Sequence, residues 1–213
     1  MTPVTGIKIC GLSTAETVDA AVGAGATHIG FVFFAPSPRN LDPDQARALG
    51  SELPRQVARV GVFVDPADDL LDRAAATGLD ILQLHGTAVA RRAAIAARYR
   101  LPVWAAVGVA SRADVAVAVD DATGAELLLF DAKAPSDAAL PGGNGVRFDW
   151  RVLAGVDPGR AWGLSGGLDA GNVGEAVRGV RPALVDVSSG VEDAPGVKSV
   201  AKIRAFIEAV RTA

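Results

Sequence analysis

The chain has 213 residues, 50% of them hydrophobic and 21% charged, with a formal net charge of -3 at pH 7. That balance excludes a mostly disordered chain and gives no electrostatic reason to expect a nucleic-acid or anionic-membrane partner. One cysteine excludes an internal disulfide, no uninterrupted apolar stretch is long enough to cross a bilayer, and Met1 to Thr5 lack the pattern of a secretory leader, so a single cytoplasmic α/β domain is expected.

Short apolar, β-branched runs recur along the chain, each followed by a Gly, Pro or polar break and then an Ala-rich segment of helical spacing. This is βα repetition. The first run, Gly6-Ile7-Lys8-Ile9-Cys10-Gly11-Leu12, alternates as a strand does, with Ile7 and Ile9 on one face and Lys8 and Cys10 on the other. Ser13 and Glu16 form a capping-box pattern before a helix over 17–25. A strand over 28–34 leads into a loop at 35–40 stiffened by Pro36 and Pro38, then a helix over 42–53. A strand over 59–64 follows, with Asp65-Pro66 as the expected opening of a helix to 77. A strand over 80–84 ends in His85-Gly86 and precedes a helix over 89–99; the next pair is a strand over 101–109 and a helix over 111–119.

The sixth strand, 126–130, ends in Asp131. Residues 132–147 then show no periodicity and contain Gly142-Gly143-Asn144-Gly145, and a loop of that length in a compact domain usually serves function or moves. A short helix over 148–153, a strand over 160–164, a helix over 169–179, a strand over 183–187 and a helix over 197–210 complete the series. Eight βα units in order predict a single-domain (β/α)8 TIM barrel, with its chemistry at the C-terminal ends of the strands. A doubly wound open sheet is the alternative, but it would not normally spend eight equivalent units.

In such a barrel Lys8 and Cys10 point inward, with Cys10 nearest the mouth. A lone cysteine also reads as a small core hydrophobe. Lys8 needs a partner, and closure of strand eight beside strand one nominates Asp186, with charged atoms expected within ~4 Å. The exits of strands seven and eight, Leu164-Ser165-Gly166-Gly167-Leu168 and Asp186-Val187-Ser188-Ser189-Gly190-Val191, both offer backbone N–H groups. Loops at these two positions, with a short extra helix, commonly hold phosphate in this fold, so Ser165, Gly166, Gly167, Ser188, Ser189 and Gly190 are the candidates. The glycines at 142–145 do not form a Walker loop. His28 starts its strand far from the mouth and reads as structural; His85 reads equally as pocket wall or structural histidine. Two histidines and one cysteine, widely spaced, make a weak case for zinc. Lys133 is either an anion partner or a solvated residue.

Taken together, Lys8-Ile9-Cys10-Gly11-Leu12, Gly30-Phe31-Val32-Phe33, Ser37-Pro38-Arg39, Val60-Gly61-Val62-Phe63-Val64, Leu82-Gln83-Leu84-His85-Gly86, Ala106-Val107-Gly108-Val109 and the two turns with Glu192 and Pro195-Gly196 carry a resemblance. In their order and combination they resemble the phosphoribosylanthranilate isomerase family of tryptophan biosynthesis. The resemblance covers nearly the whole chain. It implies an Amadori rearrangement of N-(5'-phosphoribosyl)anthranilate to the 1-deoxyribulose phosphate, without metal or organic cofactor. It also implies Cys10 as general base, Asp131 as general acid and Arg39 facing the anthranilate carboxylate. The two turns would hold the phosphate, with Lys8, Gln83, His85 and Asp186 in supporting positions. The expected partner is a small phosphorylated aminosugar, with no nucleic acid or membrane, and the expected assembly is a monomer or homodimer.

This sequence departs from the family pattern at Asn40, where an aromatic is usual, at Asn144, at Ala132, and at Val197-Lys198-Ser199. The implied chemistry needs Asp131 protonated, so its pKa is expected above ~3.9, and Cys10 partly ionised, through a modest lowering from ~8.5. Strands one and six are expected across the barrel from each other, and the loop at 132–147 is expected to close over substrate. A related histidine-pathway sugar isomerase would place an aspartate at Cys10 and show a half-barrel repeat; an indoleglycerol phosphate synthase would add catalytic lysine and glutamate positions. A non-catalytic phosphate-binding barrel is the remaining alternative.

Overall fold

Alternation in the first strand sets the inside and outside of the molecule. In β1 (Gly6–Cys10), Ile7 and Ile9 join the outer core with Val18 and Ala21 of the first helix and Phe206 of the last helix. Cys10 belongs instead to an inner cluster with Val32, Val60, Val62, Trp104 and Leu129. The computed structural model describes residues 5–133, 142 and 149–213. Their strands form a closed barrel in sequence order: β1, β2 (His28–Phe33), β3 (Ala58–Val64), β4 (Ile81–His85), β5 (Val103–Val109), β6 (Leu127–Ala132), β7 (Ala161–Leu164) and β8 (Leu184–Val187). Every barrel pairing is parallel, and β8 closes on β1 with Lys8 opposite Asp186. The molecule is a single-domain (β/α)8 TIM barrel.

The strands are joined by α1 (Ala15–Ala24), α2 (Pro43–Ser51), α3 (Asp68–Ala75), α4 (Val89–Tyr99), α5 (Arg112–Asp120) and α6 (Val173–Val180), and α7 (Val200–Arg211) ends the ring by packing on α1. Local chemistry starts several of them. Asp42 and Gln45 make a reciprocal capping box on α2, with Pro43 in the first turn, and Ser111 and Asp114 make another on α5. Leu71, Ile95 and Phe206 are fully or almost fully buried beneath the ring. Burial of such side chains contributes ~1.5–3 kcal/mol each, the main force holding helices to the barrel. Among the described residues, no helix is long and apolar enough to cross a membrane.

Some expected boundaries move. Thr14, not Ser13, caps α1, its hydroxyl accepting from the Thr17 N–H at 3.3 Å. Asp65 does not open α3: it takes a left-handed turn (φ 38) at the strand exit, and the helix begins only at Asp68. Likewise α6 begins at Val173 rather than 169, because Asn172 folds back to accept from the Asp169 N–H at 2.9 Å. The expected last helix gives up its first turn to a hairpin, β9 (Glu192–Ala194) with β10 (Val197–Lys198), around Pro195-Gly196. The extra helix after β8 is a single 3-10 turn, Ser189–Val191. The short helix expected over 148–153 is a 3-10 helix, Trp150–Leu153. β6 is not directly opposite β1; it stands three strands away, through β8 and β7. The expected closure of 132–147 lies outside the described residues, apart from Ala132, Lys133 and Gly142.

Candidate active site

The strand exits converge on a cavity of about 860 Å³, counting space open to solvent. Cys10, Arg39, Gln83, His85, Asp131, Asp186 and both glycine-rich turns line it; Lys8 alone of the expected residues does not. Lys8 is fully buried one layer below, its Nζ 2.9 Å from Asp186 Oδ1. Burial works against its charge, but Asp186 and Cys10 outweigh that and raise its pKa. A buried ammonium is tolerable only because the carboxylate across the β1–β8 seam neutralises it.

Cys10 sits two residues further along the same strand face. Gly30, its register partner on β2, leaves room for it: a Cβ there would lie 3.0 Å from Sγ and 3.2 Å from Lys8 Cε. Burial pushes the Cys10 thiol up, with Asp186 adding to the effect and Lys8 opposing it. This reverses the modest lowering expected from sequence. Lys8 is shared with Asp186, so its attraction does not offset the loss of hydration.

On the other side, Asp131 is the penultimate residue of β6, buried except for its face to the cavity. Its Oδ1 accepts from the Ala132 N–H at 2.8 Å. Burial, then repulsion from Asp186, raises its pKa to about 7, as the sequence led one to expect in direction. The backbone crowds it: a Cβ at Gly166, which has φ +85, would meet Ala132 N at 2.4 Å and Asp131 Oδ1 at 2.9 Å. A Cβ at Gly142 would lie 2.7 Å from Oδ2.

His85 belongs to the pocket wall, with its Nε2 2.9 Å from the Gln83 amide nitrogen. The amide NH2 can only donate, so the imidazole Nε2 accepts in a neutral ring, consistent with a pKa lowered to about 4 by burial and Lys8. Among the described residues, Gln83 Oε1 is buried without a hydrogen-bond partner. His28 lies away from the site, stacked obliquely on Trp104 at 5.2 Å. Lys133 turns outward and pairs with Asp114 at 3.1 Å.

The two turns pack backbone against backbone. A Cβ at Gly190 would fall 1.9 Å from the Leu168 carbonyl oxygen, so only glycine allows the strand-seven and strand-eight exits to meet. Asn172 secures the first turn by donating to the Gly167 carbonyl at 2.9 Å. Arg39 crosses the mouth over Gly11, where a Cβ would strike its Cδ at 2.6 Å. Its Nε and Nη2 donate to the two carboxylate oxygens of Glu192 at 2.7 and 2.8 Å. Lys198 reaches Glu192 from the other side, 2.7 Å from Oε1.

Asn172, Glu192 and Lys198 had no assigned role at the level of sequence. Reading Pro195-Gly196 as a hairpin turn would have brought Glu192 and Lys198 together, but the helical spacing that follows hid it. Among the described residues, no three His, Cys, Asp or Glu side chains gather as a metal site.

Comparison with known proteins agrees with this geometry. A sequence model described as N-(5'phosphoribosyl)anthranilate (PRA) isomerase matches residues 7–209. An N-(5'-phosphoribosyl)anthranilate isomerase of Paracoccus denitrificans is 52% identical over 203 residues, covering 94% of each chain. The crystal structure of phosphoribosyl anthranilate isomerase from Thermotoga maritima superposes with a TM-score of 0.88 at 37% identity, covering 98% of this chain and 100% of that one. Another solved isomerase, 35% identical with a TM-score of 0.82 and the same coverage, holds reduced 1-(o-carboxyphenylamino)-1-deoxyribulose 5-phosphate. With the match running through the whole barrel and its mouth, the chain belongs to the N-(5'-phosphoribosyl)anthranilate isomerase family, the isomerases of tryptophan biosynthesis.

Proposed function

We propose that this isomerase performs its Amadori rearrangement with Asp131 as general acid and Cys10 as general base. The observation that carries the assignment is a carboxyl group with a pKa of about 7 facing the same cavity as the chain's one thiol. Asp131 protonates the ring oxygen of the aminoaldose while the anthranilate nitrogen supplies electrons, opening the furanose to a protonated Schiff base. The cation acidifies C2', and Cys10 removes that proton to give an enolamine that tautomerises to the ketone. Positive charge on the Schiff base, added to that of Lys8, favours the thiolate when it is needed. The resting thiol is therefore no obstacle.

The turns at Ser165-Gly166-Gly167 and Ser188-Ser189-Gly190 hold the phosphate through backbone N–H groups, and Arg39 receives the anthranilate carboxylate. The unpartnered Gln83 Oε1 is an acceptor suited to a sugar hydroxyl. The compound held by the solved relative carries a carboxylate and a phosphate, the two groups that this reading assigns to opposite ends of the mouth.

The test is loss of anthranilate fluorescence after mixing with freshly generated phosphoribosylanthranilate. Cys10→Ala and Asp131→Asn are each expected to lower kcat by roughly 10²–10⁴-fold. Near-wild-type turnover in either variant would remove that residue from the mechanism.

A further inference from the structure

The charged group beneath Arg39 joins the two ends of the site. Lys198 is buried, and its ammonium makes three contacts: Glu192 Oε1 at 2.7 Å, the Ser188 carbonyl at 2.9 Å and Ser188 Oγ at 3.1 Å. An ammonium has three hydrogens, so this lysine is fully engaged. Glu192 in turn binds Arg39 through both oxygens. Its pKa stays low although burial opposes ionisation, because Arg39 and Lys198 together outweigh that cost. One chain of contacts therefore runs from the Ser188 turn through Lys198 and Glu192 to Arg39.

We infer that Lys198 is a positioning residue for substrate, fixing the phosphate turn and the carboxylate-facing arginine at a set separation through Ser188 and Glu192. The Ser188 carbonyl is drawn toward the lysine, and in a planar trans peptide the Ser189 N–H must then point the opposite way. Swinging that carbonyl would turn a phosphate donor out of alignment. At the other end, without Lys198, the Glu192 carboxylate keeps only Arg39 of its two cationic partners among the described residues, and its position against the guanidinium is less fixed. The hairpin supports the arrangement from outside: a Cβ at Gly196 would touch the Pro38 carbonyl at 2.8 Å, so β9–β10 rests directly on the loop that carries Arg39. Burial lowers the Lys198 pKa against the pull of Glu192, and with all three groups ionised the trio of Lys198, Arg39 and Glu192 carries a net positive charge, suited to a substrate with a carboxylate and a phosphate.

The inference rests on the proposed phosphate and carboxylate subsites, and the experiment separates the two levels. Inorganic phosphate and anthranilate serve as competitive probes of the two ends against wild type, Lys198→Met and Lys198→Arg. Lys198→Met is expected to raise KM and both inhibition constants about tenfold, with a smaller change in kcat. Lys198→Arg, which keeps the charge and the donors, is expected to recover most of the loss. A merely structural lysine would lower Tm and leave both inhibition constants alone, which overturns the role. If phosphate fails to compete even in the wild type, the phosphate subsite falls, and the inference with it. Should Lys198→Met not fold, Glu192→Gln gives the same reading, with the anthranilate constant expected to rise and an unchanged value counting against the coupling.

Discussion

In the proposed mechanism, two titrating groups with displaced pKa values set how the enzyme responds to pH. Asp131 has a pKa of about 7, and burial holds the Cys10 thiol above its ordinary range. Productive protonation needs the acid protonated and the thiol ionised, which is the minority combination when the thiol pKa is the higher one. Its share is constant between the two pKa values and falls on either side. We therefore predict that kcat/KM rises up to about pH 7, levels, and declines only where Cys10 itself ionises. A decline already beginning at pH 7 would show Cys10 ionised below Asp131. The raised Asp131 pKa also bears on stability. The folded state holds this proton more tightly than the unfolded chain, so the favourable contribution is complete below about pH 4 and is lost as pH rises through about 7. Asp131→Asn, neutral throughout, is expected to match wild type at pH 4 and exceed it at pH 8 by up to roughly 4 kcal/mol. Denaturant titrations at the two pH values measure the difference.

At the scale of elements, the mouth depends on close backbone contact between turns. Gly190 lies against the Leu168 carbonyl where no side chain fits. Gly190→Ala must push the strand-eight turn off the strand-seven turn, at a cost of about 1–3 kcal/mol in stability. The same displacement should weaken inhibition by inorganic phosphate, and a variant with wild-type phosphate affinity would remove this contact from the binding site. The turns themselves were legible in sequence, since Ser165-Gly166-Gly167 and Ser188-Ser189-Gly190 recur at two strand exits. Their mutual packing was not, because it joins Leu168 to a residue 22 positions away. The hairpin at Glu192–Lys198 was missed for a similar reason: two- and three-residue strands carry too little alternation to be told from the start of a helix.

The whole molecule closes where β1 meets β8, and the one ion pair inside that seam is Lys8 with Asp186 among the described residues. Lys8→Met leaves Asp186 buried without its partner and is expected to cost about 3–5 kcal/mol. The double variant Lys8→Met with Asp186→Leu removes both charges and should cost less than the sum of the single changes, as a double-mutant cycle in denaturant will measure. Strict additivity would deny the pair any coupling. The sequence by itself determined the eight βα units, the inward face of β1, the Lys8–Asp186 partnership and the residues gathered at the mouth. Periodicity is local, and parallel strands in chain order leave little freedom in which neighbours meet. Only the tertiary structure decided the direction of the Cys10 shift, the clamp of Glu192 and Lys198 on Arg39, and the meeting of the two glycine-rich turns. Each of these depends on what water has been excluded and on which distant charge or backbone atom has taken its place. Desolvation and packing are properties of the assembled barrel, and no short stretch of chain encodes them alone.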